Sequence, residues 1–87
     1  MIRIWAKITQ EEKILKDTIY EKFCQFNPEN FYDYIAEICS ELDIATPVIL
    51  NYHINNYINF NNCTFVNRDF VESINFDKLI IEEASIK

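Results

Sequence analysis

Ile2, Ile4, Ala6 and Ile8 alternate with Arg3, Trp5, Lys7 and Thr9 at the head of the chain, the period-2 pattern of a strand with one buried face. Beyond Asn27 the period changes. Phe31, Ile35, Ile38 and Leu42 fall at i, i+4, i+7 and i+11 with Tyr34 and Cys39 alongside, which makes one apolar face at helical spacing. Asp33, Glu37 and Glu41 form the opposite, solvated face. The start of this helix is well specified: Asn27 can accept an orphan N–H, Pro28 fits the first helical position, and Glu29 suits the positive end of the dipole.

The helix is expected to end near Asp43, because Thr46 precedes a proline and Pro47 disfavours continuation. Thr46-Pro47 also reads as an N-cap followed by a first-position proline, so a second helix is expected to begin there. Leu50, Ile54, Tyr57 and Ile58 supply its apolar face. Asn51, Asn55 and Asn59, with Tyr52 and Asn56, supply an outer face that is polar but uncharged. Cys63-Thr64-Phe65-Val66 reads as a short strand and Asn67 to Glu72 as a helical turn or loop. Leu79 and Ile81, alternating with Lys78, Ile80 and Glu82, mark a last strand. The tail from Ala84 to Lys87 is expected to fray.

The segment after the first strand admits two readings. Thr9-Gln10-Glu11-Glu12 matches a capping box, and Leu15, Ile19, Phe23 and Phe26 recur at helical spacing. Alternatively Gln10-Glu11-Glu12 is a turn, and Lys13 to Glu21 returns as the second strand of a hairpin, with Thr18, Ile19 and Tyr20 as β-formers. The turn lacks the Asn-Gly or Asp-Gly chemistry of tight hairpins.

At 87 residues the chain is one domain with a single modest core. Its 49% hydrophobic and 15% aromatic content argues against disorder. Glycine is absent altogether, which rules out every glycine-rich phosphate loop. The formal charge of −6 gives an acidic surface that disfavours nucleic acid and anionic lipid. Two helices joined by a short connection invite comparison with a DNA-reading helix pair. From Phe23 to Asn67, however, there is no Lys or Arg, while Glu29, Asp33, Glu37, Glu41 and Asp43 lie in the same window. Such a face would repel phosphates. The Asn, Ile, Lys, Tyr and Phe abundance matches A/T-rich coding.

No signal peptide is expected, since charge interrupts Met1 to Lys7, and no apolar run is long enough to span a bilayer. The expectation is a cytoplasmic protein. Three cysteines, an odd count, favour reduced thiols over a disulfide frame. His53 is the only histidine. Cys24, Cys39, His53 and Cys63 contain no close Cys pair of the zinc-site kind, and a Cys39–His53 dyad has no basic neighbour to activate the thiol. No cofactor or metal is expected, and no enzymatic activity.

Ile4-Trp5-Ala6-Lys7-Ile8, Ile14-Leu15-Lys16-Asp17, Ile38-Cys39, Glu41-Leu42-Asp43-Ile44 with Pro47, and Phe76-Asp77 with Leu79-Ile80-Ile81-Glu82 together resemble a family of short uncharacterised proteins of clostridia and related Firmicutes. The resemblance covers nearly the whole chain, its motifs are structural in character, and no activity is established for the family. In that family the early turn often carries Asp-Asn-like residues, which implies a hairpin; Glu11-Glu12 depart from this here. Its members also tend to be basic just before the position of Phe65, where this chain has Asn61-Asn62-Cys63-Thr64.

With the hairpin that the resemblance implies, the expected fold is a small single α+β domain over residues 1–87. Its order is β-β-α-α-β-β, a mostly antiparallel sheet with two helices packed on one face. Trp5 then lies on the open side with Arg3 and Lys7 and has to be covered by their stems, by the tail or by a partner. The favoured functional expectation is a non-catalytic protein-interaction module, either self-associating as a homodimer or binding another protein through Trp5 or the acidic row Asp33, Glu37 and Glu41. Alternatives are an acidic inhibitor whose row mimics nucleic-acid phosphates, and a small enzyme or ligand-binding domain around His53 and the thiols.

Overall fold

The computed structural model describes residues 1–84. Strand β1 (Ile2–Gln10) turns directly into β2 (Lys13–Lys22), and the helical reading of this segment gives way to the hairpin. Glu11 and Glu12 occupy the turn with φ of 51° and 68°. Positive φ at both central residues matches the right-handed twist of the flanking strands. In a chain with no glycine this turn is made from two glutamates, helped by Asp77, whose Oδ2 accepts the Glu11 N–H at 2.8 Å.

Asn27 caps a single 3-10 turn at Pro28–Asn30 by accepting the Glu29 N–H at 3.0 Å. The turn feeds α1 (Phe31–Leu42), which buries Phe31, Tyr34, Ile35, Ile38, Cys39 and Leu42. Its end is a Schellman closure in which Asp43 takes the left-handed conformation. The Asp43 N–H reaches the Ser40 carbonyl at 3.2 Å and the Ile44 N–H that of Cys39 at 3.0 Å.

Helix α2 (Asn51–Phe60) begins four residues beyond Pro47, which corrects the expected start. Thr46 to Leu50 runs irregularly instead, tied to the turn after β3 by the Val48 N–H, which donates to the Asp69 carbonyl at 2.7 Å. Asn61 closes α2 in the left-handed region.

Strand β3 (Asn62–Val66), a 3-10 turn at Asn67–Asp69 and β4 (Lys78–Glu83) complete the order β-β-α-α-β-β. The sheet is antiparallel throughout, in the order β2-β1-β4-β3. Ile2, Ile4, Ala6, Ile8, Cys63, Phe65, Leu79 and Ile81 point inward against α1 and Tyr57 of α2, so the sheet alternation and the α1 stripe close on one core. Ala84 is still paired, its N–H donating to the Arg3 carbonyl at 2.9 Å; the rest of the tail, residues 85–87, lies outside the described residues. Among the described residues no helix is long and apolar enough to cross a membrane.

Candidate functional site

His53 is the buried face of the first turn of α2. Its ring packs against Phe65 of β3 at 4.3 Å and Tyr52 at 4.1 Å between centroids, and it is 1% exposed. The Leu50 N–H, an orphan donor of the helix start, donates to His53 Nδ1 at 3.0 Å. Nδ1 must therefore be unprotonated, and the ring proton sits on Nε2. That nitrogen faces Asp69 Oδ2 at 3.5 Å, too far for a direct hydrogen bond and close enough for attraction. Among the described residues it has no hydrogen-bond partner.

Burial pushes the His53 pKa below the ordinary histidine range, and the Asp69 carboxylate only partly restores it. A charged His53–Asp69 pair would require a proton on Nδ1 and the loss of the Leu50 contact, so the neutral tautomer is the native one. Asp69 is equally occupied: its Oδ2 accepts the Val66 N–H at 2.8 Å, and the Tyr52 hydroxyl lies 3.5 Å from its Oδ1. The cluster thus ties the Thr46–Leu50 segment, α2 and the turn after β3 into one unit.

The thiols are separate from it. Cys39 and Cys63 are buried, and burial pushes each up to about 12, far from the thiolate that nucleophilic or metal chemistry needs. Cys24 is exposed. Among the described residues no three His, Cys, Asp or Glu side chains converge into a metal-holding group.

Trp5 is half-buried on the open face of the sheet. Lys7 Nζ sits 3.7 Å from the centre of its ring while also pairing with Glu82 at 2.8 Å, and the indole N–H donates to Asp17 Oδ2 at 2.9 Å. Neighbouring strands therefore supply cover, with Arg3 bound to Glu21 at 2.5 Å beside it. The acidic row is also engaged. Glu37 accepts from the Tyr20 hydroxyl and pairs with Lys22 at 3.3 Å. The Tyr20 bond holds the Glu37 carboxyl below its usual range, and burial together with that bond holds the Tyr20 hydroxyl above its own. Glu41 accepts from the Thr18 hydroxyl at 2.9 Å. These contacts fasten α1 to β2; Asp33 alone of the three has neither an ion pair nor a side-chain hydrogen bond among the described residues.

A different surface stands out. From Ile44 to Asn67 there is no Asp, Glu, Lys or Arg, so all 22 charged residues (8 basic and 14 acidic) lie elsewhere. This neutral stretch exposes Val48, Leu50, Tyr52 and Ile58 at 47% each and Phe60 at 66%. The apolar face expected for α2 holds at Tyr57, which is buried, and at Ile54, which packs against the core, but it is rotated toward His53, so that Leu50 and Ile58 are half in solvent. Periodicity alone favoured aliphatic residues for the core, and the pull of Leu50 N–H and Asp69 on the imidazole decides otherwise.

Comparison with protein-family models, with curated proteins and with solved structures returns no match.

Proposed function

We propose that the protein is a non-catalytic protein-interaction module. The observation that carries this reading is the charge-free surface of α2 and its flanks, with half-exposed aromatic and aliphatic side chains, on a chain of which 25% of the residues are charged. Depletion of charge with aromatic enrichment is the compositional mark of an interface core. Supporting it, the groups with chemical potential are held for folding: His53 caps α2, Asp69 binds Val66, and Cys39 and Cys63 are buried thiols.

The partner is a protein surface, since a net charge of −6 opposes phosphate backbones and anionic lipid. Three free thiols suit a reducing cytoplasm. The proposal includes kinship with the short Firmicutes proteins that the chain resembles; the quoted segments hold core positions such as Ile4, Ile38 and Leu79.

A photo-crosslinking residue in place of Tyr52, expressed in the host cell, tests the reading. Position 52 should yield a discrete protein adduct, and the same residue in place of Val71, 88% exposed in the connection between β3 and β4, should not. A strictly monomeric protein with no adduct at either position would refute it.

A further inference from the structure

The occupant of the charge-free face follows from two properties of α2. The first is electrostatic. Two copies at −6 repel wherever their charged surfaces meet, and the stretch from Ile44 to Asn67 is where they can touch with no like charges apposed and no ion to desolvate. The second is symmetry. A two-fold interface needs a surface complementary to itself, in which residue i meets j and j meets i.

The outer face of α2 has that property about Asn55. Reading outward from it in an antiparallel pair, Asn51 is level with Asn59 and Tyr52 with Ile58. Asn55 meets itself on the axis, the Asn51 and Asn59 amides of the two copies meet beside it, and Tyr52 and Ile58 flank the seam, each against an asparagine of the other copy. Asn is suited to this because its side chain both donates and accepts, so an Asn51–Asn59 contact satisfies both partners.

We propose that a second copy of this chain docks there, as a symmetric dimer built on two antiparallel α2 helices crossing at Asn55. This rests on the interaction-module reading and names its partner. From Val48 to Asn62 there are 11 exposed residues, against roughly 20–30 per side in a standard interface. The dimer is therefore a weak one. Because repulsion between the −6 copies is screened by salt, association strengthens as ionic strength rises; docking of a basic partner would weaken.

Sedimentation equilibrium up to about 0.5 mM, at low and high salt, tests this. The wild type should dimerise, several-fold more tightly at high salt. Asn55→Glu, which sets two carboxylates against each other on the axis, should weaken it at least tenfold with its circular dichroism unchanged, and Val71→Glu should leave it alone. At an interaxial separation of about 8–10 Å, Cα atoms facing on the axis come within about 3.4–5.4 Å, inside reach of a disulfide. In a Cys24→Ser background, Asn55→Cys should then crosslink on mild oxidation and Val71→Cys should not. A wild type monomeric at 0.5 mM, or an N55E variant that dimerises normally, overturns the proposal. If the monomeric wild type still yields a heterologous adduct from position 52, the interaction-module reading survives without the dimer; if it yields none, both fall.

Discussion

Removing the Asp69 carboxylate should cost about 2–4 kcal/mol in Asp69→Ala and about 1 kcal/mol in Asp69→Asn. The alanine strands the Val66 N–H, which Asp69 accepts at 2.8 Å, a lost partner worth about 1–3 kcal/mol, and removes the carboxylate that attracts His53 Nε2–H from 3.5 Å, worth about 1 kcal/mol more. The asparagine keeps an oxygen for the Val66 N–H and loses the charge. The same site sets a pH dependence whose sign is fixed by the tautomer. Because the folded His53 pKa is depressed, the unfolded chain takes up a proton first. Stability is therefore full above the unfolded value near ~6.5 and falls as pH drops toward the folded pKa, by at most about 1.4 kcal/mol per pH unit. Asp69 raises the His53 pKa, so D69N lowers the folded value further, and its deficit against the wild type widens on acidification. Urea denaturation followed by far-ultraviolet circular dichroism, at intervals from pH 7.5 to 5, reads both effects. A wild type that becomes more stable between pH 7 and 5 would mean a protonated His53 paired with Asp69, and would refute the tautomer argument.

Two further outcomes follow from the local geometry. Glu11→Asn with Glu12→Gly should stabilise the domain by about 1–2 kcal/mol, since both positions have positive φ that costs an L-residue of this type about 1–2 kcal/mol; an unchanged or lower thermal midpoint would show that the turn is not strained. Thiol titration of the native protein should label Cys24 quickly and Cys39 and Cys63 only after unfolding, and rapid labelling of all three would mean that the core opens readily.

The parts of the fold legible in the sequence are those in which one periodicity and one environment coincide. β1 alternates because one of its faces is wholly covered, and α1 shows a full apolar stripe because it lies across the sheet. β2 was ambiguous for the opposite reason. It is an edge strand, and its apolar residues Ile14, Leu15 and Ile19 remain about half exposed, so their spacing reports no buried face and imitates a helix. The turn before it is built from residues that carry no turn signal. Local chemistry also misplaced the start of α2. Thr46-Pro47 satisfies every local rule for a helix start, yet α2 begins only at Asn51, and the Val48 amide is tied to Asp69, which lies 21 positions away in sequence. The actual cap is an imidazole that accepts the Leu50 N–H, a role ordinarily taken by a carboxylate or amide side chain three residues into a helix.

The rotation of α2 that follows from this cap also shapes the surface offered to a partner. With the imidazole held inward by the Leu50 amide and set opposite Asp69, Tyr57 one turn later is carried into the core beside Phe26 and Phe31. The aliphatic residues that a simple amphipathic helix would bury, Leu50 and Ile58, are turned toward solvent next to Tyr52 and the asparagines. A buried polar contact is thus the cause of an exposed apolar one. If so, loosening the cap should alter the interface before it unfolds the domain. His53→Phe, which preserves the aromatic packing on Phe65 but cannot accept the Leu50 N–H, should weaken dimerisation while retaining a cooperative unfolding transition. Equal dimer affinity in H53F and wild type would show that the helix is set by packing alone, and the link drawn between the buried cluster and the outer face would be wrong.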